Sequence, residues 1–593
     1  MSSQVYKDFT VILYRRRWFA LFIFCFCSFS NAYQWIHLNI ISDRVLFFWG
    51  ASIPGSTEDV HQIAVDWLSM IYMLTYIPLI FPSTWILDKW GLRVTMLVAT
   101  ALNAVGAWAK CIAGAVTYEP RPSLANQTIP WDHKLGFPIL MIGQTICGIA
   151  QSGILGIPAH LAATWFGENE VSTATSFGVF GNQIGVAVGF LVPPLIVPML
   201  PYITDTTSGN PTSILDPAVD VIQFFANMKY YTMILLYFSA ALNTLPFLLV
   251  IFFFKAKPPT EPSLAQYKRS ARPDKQKAKP EDKFDVFHSN GGYTKSPEAN
   301  NHISLSPGQE TTPTINATPA KPSNNDDTVA DQLTADNFVV HISLNQHGDK
   351  VYADNSKDNP SYESLRHYGK NATILAALKR LFSNLGFVLL FLSYGIITGV
   401  YYAVGTLLNN ILLEYFTDSS LFGWAGFTMI VAGIFGSILG GVILDRTKKF
   451  KLVTCAIYIL SLIWMAVFTG ILYLRSMPLV FVSMFFLGFF MTGYLSLGFE
   501  LAAELTYPES EGLSSGLLNT SAQIFGLILI HVATTLRTHH GVLPGNLFLT
   551  ALLVLGSIMT ICIKENLLRQ QAHERTTEQQ NMRKYTHTHT IDE

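Results

Sequence analysis

Charged side chains are scarce in this chain. They make up 13% of its 593 residues, and 39 Lys and Arg against 40 Asp and Glu leave a net charge of −1. With no basic excess to neutralise phosphates, the sequence offers nothing to nucleic acid. Cysteine is scarce as well. The six cysteines (Cys25, Cys27, Cys111, Cys147, Cys455 and Cys562) all fall inside apolar runs. They form neither a disulfide framework nor a metal-ligand spacing and read as small buried hydrophobes, so no cofactor or metal is expected. No signal peptide is expected either: Arg15, Arg16 and Arg17 precede a first apolar run too long for an h-region, and no cleavage-site pattern follows it.

What the chain has is apolar length. Half of its residues are hydrophobic, and they come in helix-length blocks rather than dispersed as in a soluble core. The spacing predicts an all-α polytopic membrane protein with twelve spans: 18–42, 64–87, 94–116, 137–165, 172–199, 229–254, 387–413, 422–444, 452–474, 478–505, 513–535 and 544–563. Basic residues crowd one set of span ends (Arg15, Arg16, Arg17, Lys89, Arg93, Lys255, Lys257, Lys379, Arg380, Arg446, Lys448, Lys449, Lys451, Lys564 and Arg569). The other set has fewer, among them Arg44, Lys110, Lys229 and Arg537. The basic side is expected in the cytosol, with both termini. The sequon at Asn126 then lies in an outer loop and is the expected glycosylation site.

Residues 255–375 differ in kind. They are rich in Pro, Ser, Asn, Asp and Lys and read as a disordered cytosolic linker. The expected organisation is a short N-terminus (1–17), a six-helix bundle (18–254), the linker (255–375), a second six-helix bundle (376–564) and a polar tail (565–593).

The first span carries Asn31, Gln34, Trp35, His37 and Asn39 in its second half. Polar groups in hydrocarbon are costly unless they face protein or water, so one face is expected to line a cavity. An aromatic belt at the outer interface is the alternative reading of Trp35. Tyr402 lies mid-span in the seventh span. Gln183 in the fifth and Gln523 in the eleventh fall at similar depth, with Gly181, Gly185 and Gly189 as a close-packing stripe beside Gln183. No carboxylate stands clearly mid-membrane; Asp66 is near one end of its span. Aromatics with neutral amides suit a quaternary ammonium, which has no N–H to donate and binds ring faces. Packing aromatics and interhelical amides are the structural alternative.

The two halves repeat. Leu87-Asp88-Lys89-Trp90-Gly91-Leu92-Arg93 follows the second span and Gly441 to Lys449, with Asp445 and Arg446, follows the eighth. Glu168 and Glu509 precede the fifth and eleventh spans. These signatures resemble those of the major facilitator superfamily. The resemblance implies two pseudo-symmetric six-helix bundles and assigns Asp88, Arg93, Asp445, Arg446, Glu168 and Glu509 to the lock between the halves on the cytosolic side.

A narrower resemblance is carried by Asn31–Ile36, Asp66–Tyr76, Trp165–Thr173, Gly181–Gly185, Met491–Glu500 and Thr506–Gly526. These stretches are very similar to the feline leukaemia virus subgroup C receptor family, transporters of choline and ethanolamine earlier described as haem transporters. The resemblance implies that Trp35 and Tyr402 form an ammonium cage, that Gln183 and Gln523 line the same pocket, and that Asn31, Tyr72 and Met73 contribute. Ser496 stands where that family usually has proline, and His160 where it usually has arginine. The expectation is a monomeric plasma-membrane uniporter, not an enzyme, working by alternating access in a lipid bilayer. Two rivals stand beside it: a haem exporter using His37, His160 or His531, and a non-transporting receptor or sensor that signals through the linker.

Overall fold

The computed structural model describes residues 13–117, 133–260, 262 and 374–571, apart from breaks at 55–56, 168–169, 201, 205–210, 216–220, 448, 508, 510, 566 and 569; between them it describes only Ile342–Leu344 and Lys350–Tyr352. Asn126 and the side chains of Asp88, Asp445 and Glu168 lie outside the described residues, as does most of 255–375.

Among the described residues, twelve helices are long and apolar enough to cross a membrane. The first half holds α1 (Arg16–Ile36), α2 (Ser42–Trp49), α3 (Glu58–Trp90), α4 (Leu92–Ala115), α5 (Gly136–Ile154), α6 (Ile157–Trp165), α7 (Val171–Ile196) and α8 (Val221–Phe253). The second holds α9 (Ile374–Ser383), α10 (Leu385–Leu413), α11 (Ser420–Thr447), α12 (Phe450–Tyr473), α13 (Met477–Thr506), α14 (Glu511–His540) and α15 (Val542–Cys562). The chain is therefore a multi-pass integral membrane protein. Two small antiparallel hairpins depart from the all-α expectation: β1 (Tyr202–Thr204) with β2 (Pro211–Leu215), and β3 (Ile342–Leu344) with β4 (Lys350–Tyr352). The first joins two segments with β-branched and aromatic residues across a polar Asp-Thr-Thr-Ser-Gly-Asn stretch. The second belongs to a separate unit, Pro273–Ala372.

The first span is not one helix to residue 42. α1 stops at Ile36, one residue past Trp35, and a 3₁₀ turn (Asn39–Ile41) leads into α2. The cause is local competition for a carbonyl: Gln34 O accepts from Gln144 Nε2 at 2.9 Å and pairs with His37 Nδ1 at 3.1 Å. Asn39 Nδ2 donates to Val65 O at 3.2 Å, so side chains replace ladder bonds where the helix opens. The fourth span also divides, at Leu155–Gly156, with Pro158 in the first turn of α6.

Close packing in both halves uses small residues where backbones meet. In the first, a methyl group at Gly181 of α7 would meet Cys25 Cα of α1 at 2.9 Å. In the second, one at Gly399 of α10 would meet the Phe525 carbonyl carbon of α14 at 2.9 Å. The fifth span thus clasps the first as the eleventh clasps the seventh, which leaves the aromatic faces of α1 and α10 turned toward the seam between the halves.

Candidate functional site

At the seam, Trp35 of α1 and Tyr402 of α10 meet. Their ring centroids are 5.4 Å apart and the planes cross at 69°, edge to face. Trp35 is 8% exposed. Gln523 of α14 lies beside the Tyr402 phenol. Three residues on, Gly526 lets Met73 of α3 approach: a methyl group there would meet Met73 Sδ at 2.8 Å and Tyr402 Cδ2 at 2.9 Å. Four of the seven expected binding residues are thereby brought together from four helices and both halves.

Gln183 lies on the seam-facing side of α7. Seven residues later on the same stripe, Phe190 packs against Gly423 and Gly426 of α11. The Gln183 Oε1 is buried and has no hydrogen-bond partner among the described residues. An unmet acceptor there costs free energy that a donor on a ligand would recover.

Asn31 and Tyr72 sit elsewhere. Asn31 Nδ2 donates to Asn103 Oδ1 at 3.0 Å and to Cys147 O at 3.1 Å, inside the first half. Tyr72 is fully buried beside Cys147 and Gly148 of α5. Both stand behind the α1 and α3 faces that carry Trp35 and Met73.

The seam is latched at the end of the spans bearing α2 and the α10–α11 loop. Thr534 Oγ1 donates to Asp66 Oδ2 at 2.7 Å, and Ser69 Oγ donates to Thr406 Oγ1 at 3.1 Å. Asn409 Nδ2 donates to Ser42 Oγ at 3.0 Å and to Asp43 Oδ1 at 3.1 Å. Ser42 Oγ donates to Asn410 Oδ1, and Arg44 Nη2 to Ser419 Oγ, each at 2.6 Å.

Comparisons with known proteins give the family of the chain. The Major Facilitator Superfamily profile matches residues 18–531 and 390–579. Choline/ethanolamine transporter flvcr2a of Danio rerio is 37% identical over 565 residues, 95% of this chain and 90% of that protein. Choline/ethanolamine transporter FLVCR2 of Homo sapiens is 36% identical over 574 residues (96% and 82%), and FLVCR1 of Felis catus 37% over 555 (93% and 74%). The chain belongs to the feline leukaemia virus subgroup C receptor family of the Major Facilitator Superfamily. Among solved structures, a D-xylose–proton symporter superposes with a TM-score of 0.58 at 9% identity, covering 93% of this chain and 98% of that one. A bacterial homologue of the human lysosomal transporter Spinster, inward-facing and unoccupied, gives 0.55 at 10% identity, covering 94% and 98%. These two likenesses show the fold. The chain is therefore a transporter rather than an enzyme.

Two of the expected lock residues, Arg93 and Glu509, have partners within their own halves. Arg93 Nη2 donates to Ile251 O at 3.0 Å. Glu509 Oε1 accepts from Arg380 Nε at 2.5 Å, and the first half has a counterpart in Arg17 and Glu170 at 3.0 Å. Arg446 is exposed. Gly91, between Asp88 and Arg93, has φ of +81°, a turn that a side chain would strain.

Three seam or core residues escaped the sequence reading. Tyr76 is buried on the α3 stripe that carries Met73; the spacing Asp66, Ser69, Met73, Tyr76 is a helical stripe that could have found it. Lys110 and Arg44, counted at outer span ends, are each 1% exposed. Lys110 Nζ donates to Gln144 Oε1 at 2.7 Å and to Gln34 Oε1, and Gln34 Nε2 donates to Ser239 Oγ at 2.6 Å. This lysine ties the first, third, fourth and sixth spans together instead of marking a membrane surface.

Two histidines of the haem reading stand in different surroundings. His37 is bound to Gln34 O and stacked on Tyr33, with centroids 5.0 Å apart, whereas His531 lies on an exposed face of α14.

Proposed function

We propose that this protein carries choline, and ethanolamine beside it, across the membrane by facilitated uniport with alternating access. The single observation that carries the reading is the Trp35–Tyr402 contact across the seam, one ring from each half. An ammonium that parts the two rings and turns them takes a face of each, and each desolvated face is worth up to roughly 2 kcal/mol. Gln183 and Gln523 take the polar end of the substrate: the hydroxyl of choline, or the N–H donors of ethanolamine. The named activities of the 36–37% identical relatives support the same substrates.

A fixed cation needs no coupling ion to enter a cell. The membrane potential supplies roughly 2.3 kcal/mol per 100 mV, about fifty-fold accumulation. The seam latch at Asp66, Asn409 and Thr534 closes the outer side. Opening it and closing the opposite side, where Asp88, Arg93, Asp445, Arg446, Glu168 and Glu509 stand, exchanges access while the site stays at the midplane. In this reading the protein works as a monomer in the plasma membrane, with cytosolic termini and glycosylation at Asn126.

Side-by-side uptake of labelled choline and ethanolamine by cells expressing the full chain tests the reading. Saturable uptake of at least one, unchanged by replacing sodium, is expected. Uptake of neither above background overturns it.

A further inference from the structure

Immediately before the seventh span, α9 and the start of α10 frame a cleft of about 510 Å³, lined by Ala376, Lys379, Arg380, Ser383 and Asn384. Ala377 and Leu381, four residues apart, are buried and hold α9 against the bundle. Lys379 and Arg380 are exposed on the cleft side. The cleft is flanked by two exposed large apolar side chains, Phe382 at 44% and Leu385 at 71%. Leu385 is the first residue of a membrane span, so the cleft sits where the hydrocarbon ends.

We propose that this cleft binds the headgroup of an anionic phospholipid of the cytosolic leaflet, its phosphate on Lys379 and Arg380 and its chains along Phe382 and Leu385. The inference rests on the cytosolic placement of this face given above. The cytosolic leaflet is the anionic one, and clustered basic residues beside a span are its recognition chemistry. A soluble anion would gain nothing from Phe382 and Leu385, whereas a lipid uses cations and apolar rim together.

The cleft is also joined to the cytosolic corner between α13 and α14. Arg380 Nε is 2.5 Å from Glu509 Oε1, and Asn384 Nδ2 donates to Leu505 O at 2.9 Å. A phosphate in the cleft shares Arg380 with Glu509, so a bound lipid braces the corner from which the eleventh span, with Gln523, departs.

The test uses the full chain purified from bilayers of phosphatidylcholine mixed with phosphatidylserine, with retained lipid counted by native mass spectrometry. The protein is expected to retain phosphatidylserine in preference to phosphatidylcholine. Lys379→Gln should lower that retention about fivefold, Lys379→Arg should preserve it, and soluble glycerophosphoserine should not displace it. Equal retention by Lys379→Gln overturns the proposal, and so does complete displacement by glycerophosphoserine. Choline uptake by Lys379→Gln in phosphatidylcholine vesicles, expected to match the parent, reports that the variant is folded. Selective retention in a protein that takes up no choline sinks the substrate reading and leaves the lipid site standing; choline uptake without selective retention does the reverse. Termini found outside the cell would remove the lipid site by placing the cleft in the wrong leaflet.

Discussion

Thr534 donates its hydroxyl to the Asp66 carboxylate at 2.7 Å, joining the second span to the eleventh across the seam. Asn410 approaches the other oxygen at 3.4 Å and Gln62 lies one turn away. A buried carboxylate held by donors from the opposite half stabilises the closed seam at this end of the spans for as long as those donors stay in place.

Thr534→Val removes the shorter of these bonds while keeping the shape. Hydrogen bonds to charged groups contribute about 1.5–3 kcal/mol, so the outward-open population should rise about tenfold or more. Ser69→Cys, which lies in the seam, is a reporter: a membrane-impermeant thiol reagent should label it about tenfold faster in the Thr534→Val background. An unchanged rate would show that the Asp66–Thr534 bond does not hold the seam.

Gln183→Ala separates binding from stability. Because Oε1 is buried without a partner among the described residues, losing it should leave thermal stability unchanged or slightly improved. If the amide holds the substrate hydroxyl, the choline KM should rise about five- to tenfold, the effect of one hydrogen bond of about 1–1.5 kcal/mol. Measured uptake kinetics with an unaltered KM would remove Gln183 from the pocket.

Lys110→Met keeps the length and apolar stem of the side chain but leaves the Gln34 and Gln144 amide oxygens without their donor. Each orphaned acceptor costs about 1–3 kcal/mol, so the purified variant should melt at a lower temperature than the parent. A higher midpoint would mean that burying the ammonium costs more than its bonds return.

Much of this architecture was legible in the chain because bilayer thickness fixes span length: the predicted spans overlap the twelve observed helices, with ends within a few residues for most. The break after Trp35 was not legible. It arises from Gln144, more than a hundred residues away, competing for the Gln34 carbonyl. Lys110 and Arg44 were misplaced for a related reason: a basic residue near a span end counts as a surface marker unless its partners, here distant amides and Ser419, are known. Trp35, Tyr402 and Gln523 could be singled out because the repeat places equivalent positions at one depth. Asn31 and Tyr72 share their helices with Trp35 and Met73 but turn to Asn103 and Cys147, a distinction of helix face that sequence spacing alone does not resolve.

Substituting the indole that faces Tyr402 is the most direct test of the central claim. Initial rates of labelled choline uptake over a range of concentrations should show a KM about thirtyfold higher in Trp35→Leu than in the parent, the loss of one ring face worth roughly 2 kcal/mol. Trp35→Phe, which keeps a ring, should stay within a few-fold of the parent. A Trp35→Leu protein that reaches the membrane and takes up choline with the parent's KM would contradict the account.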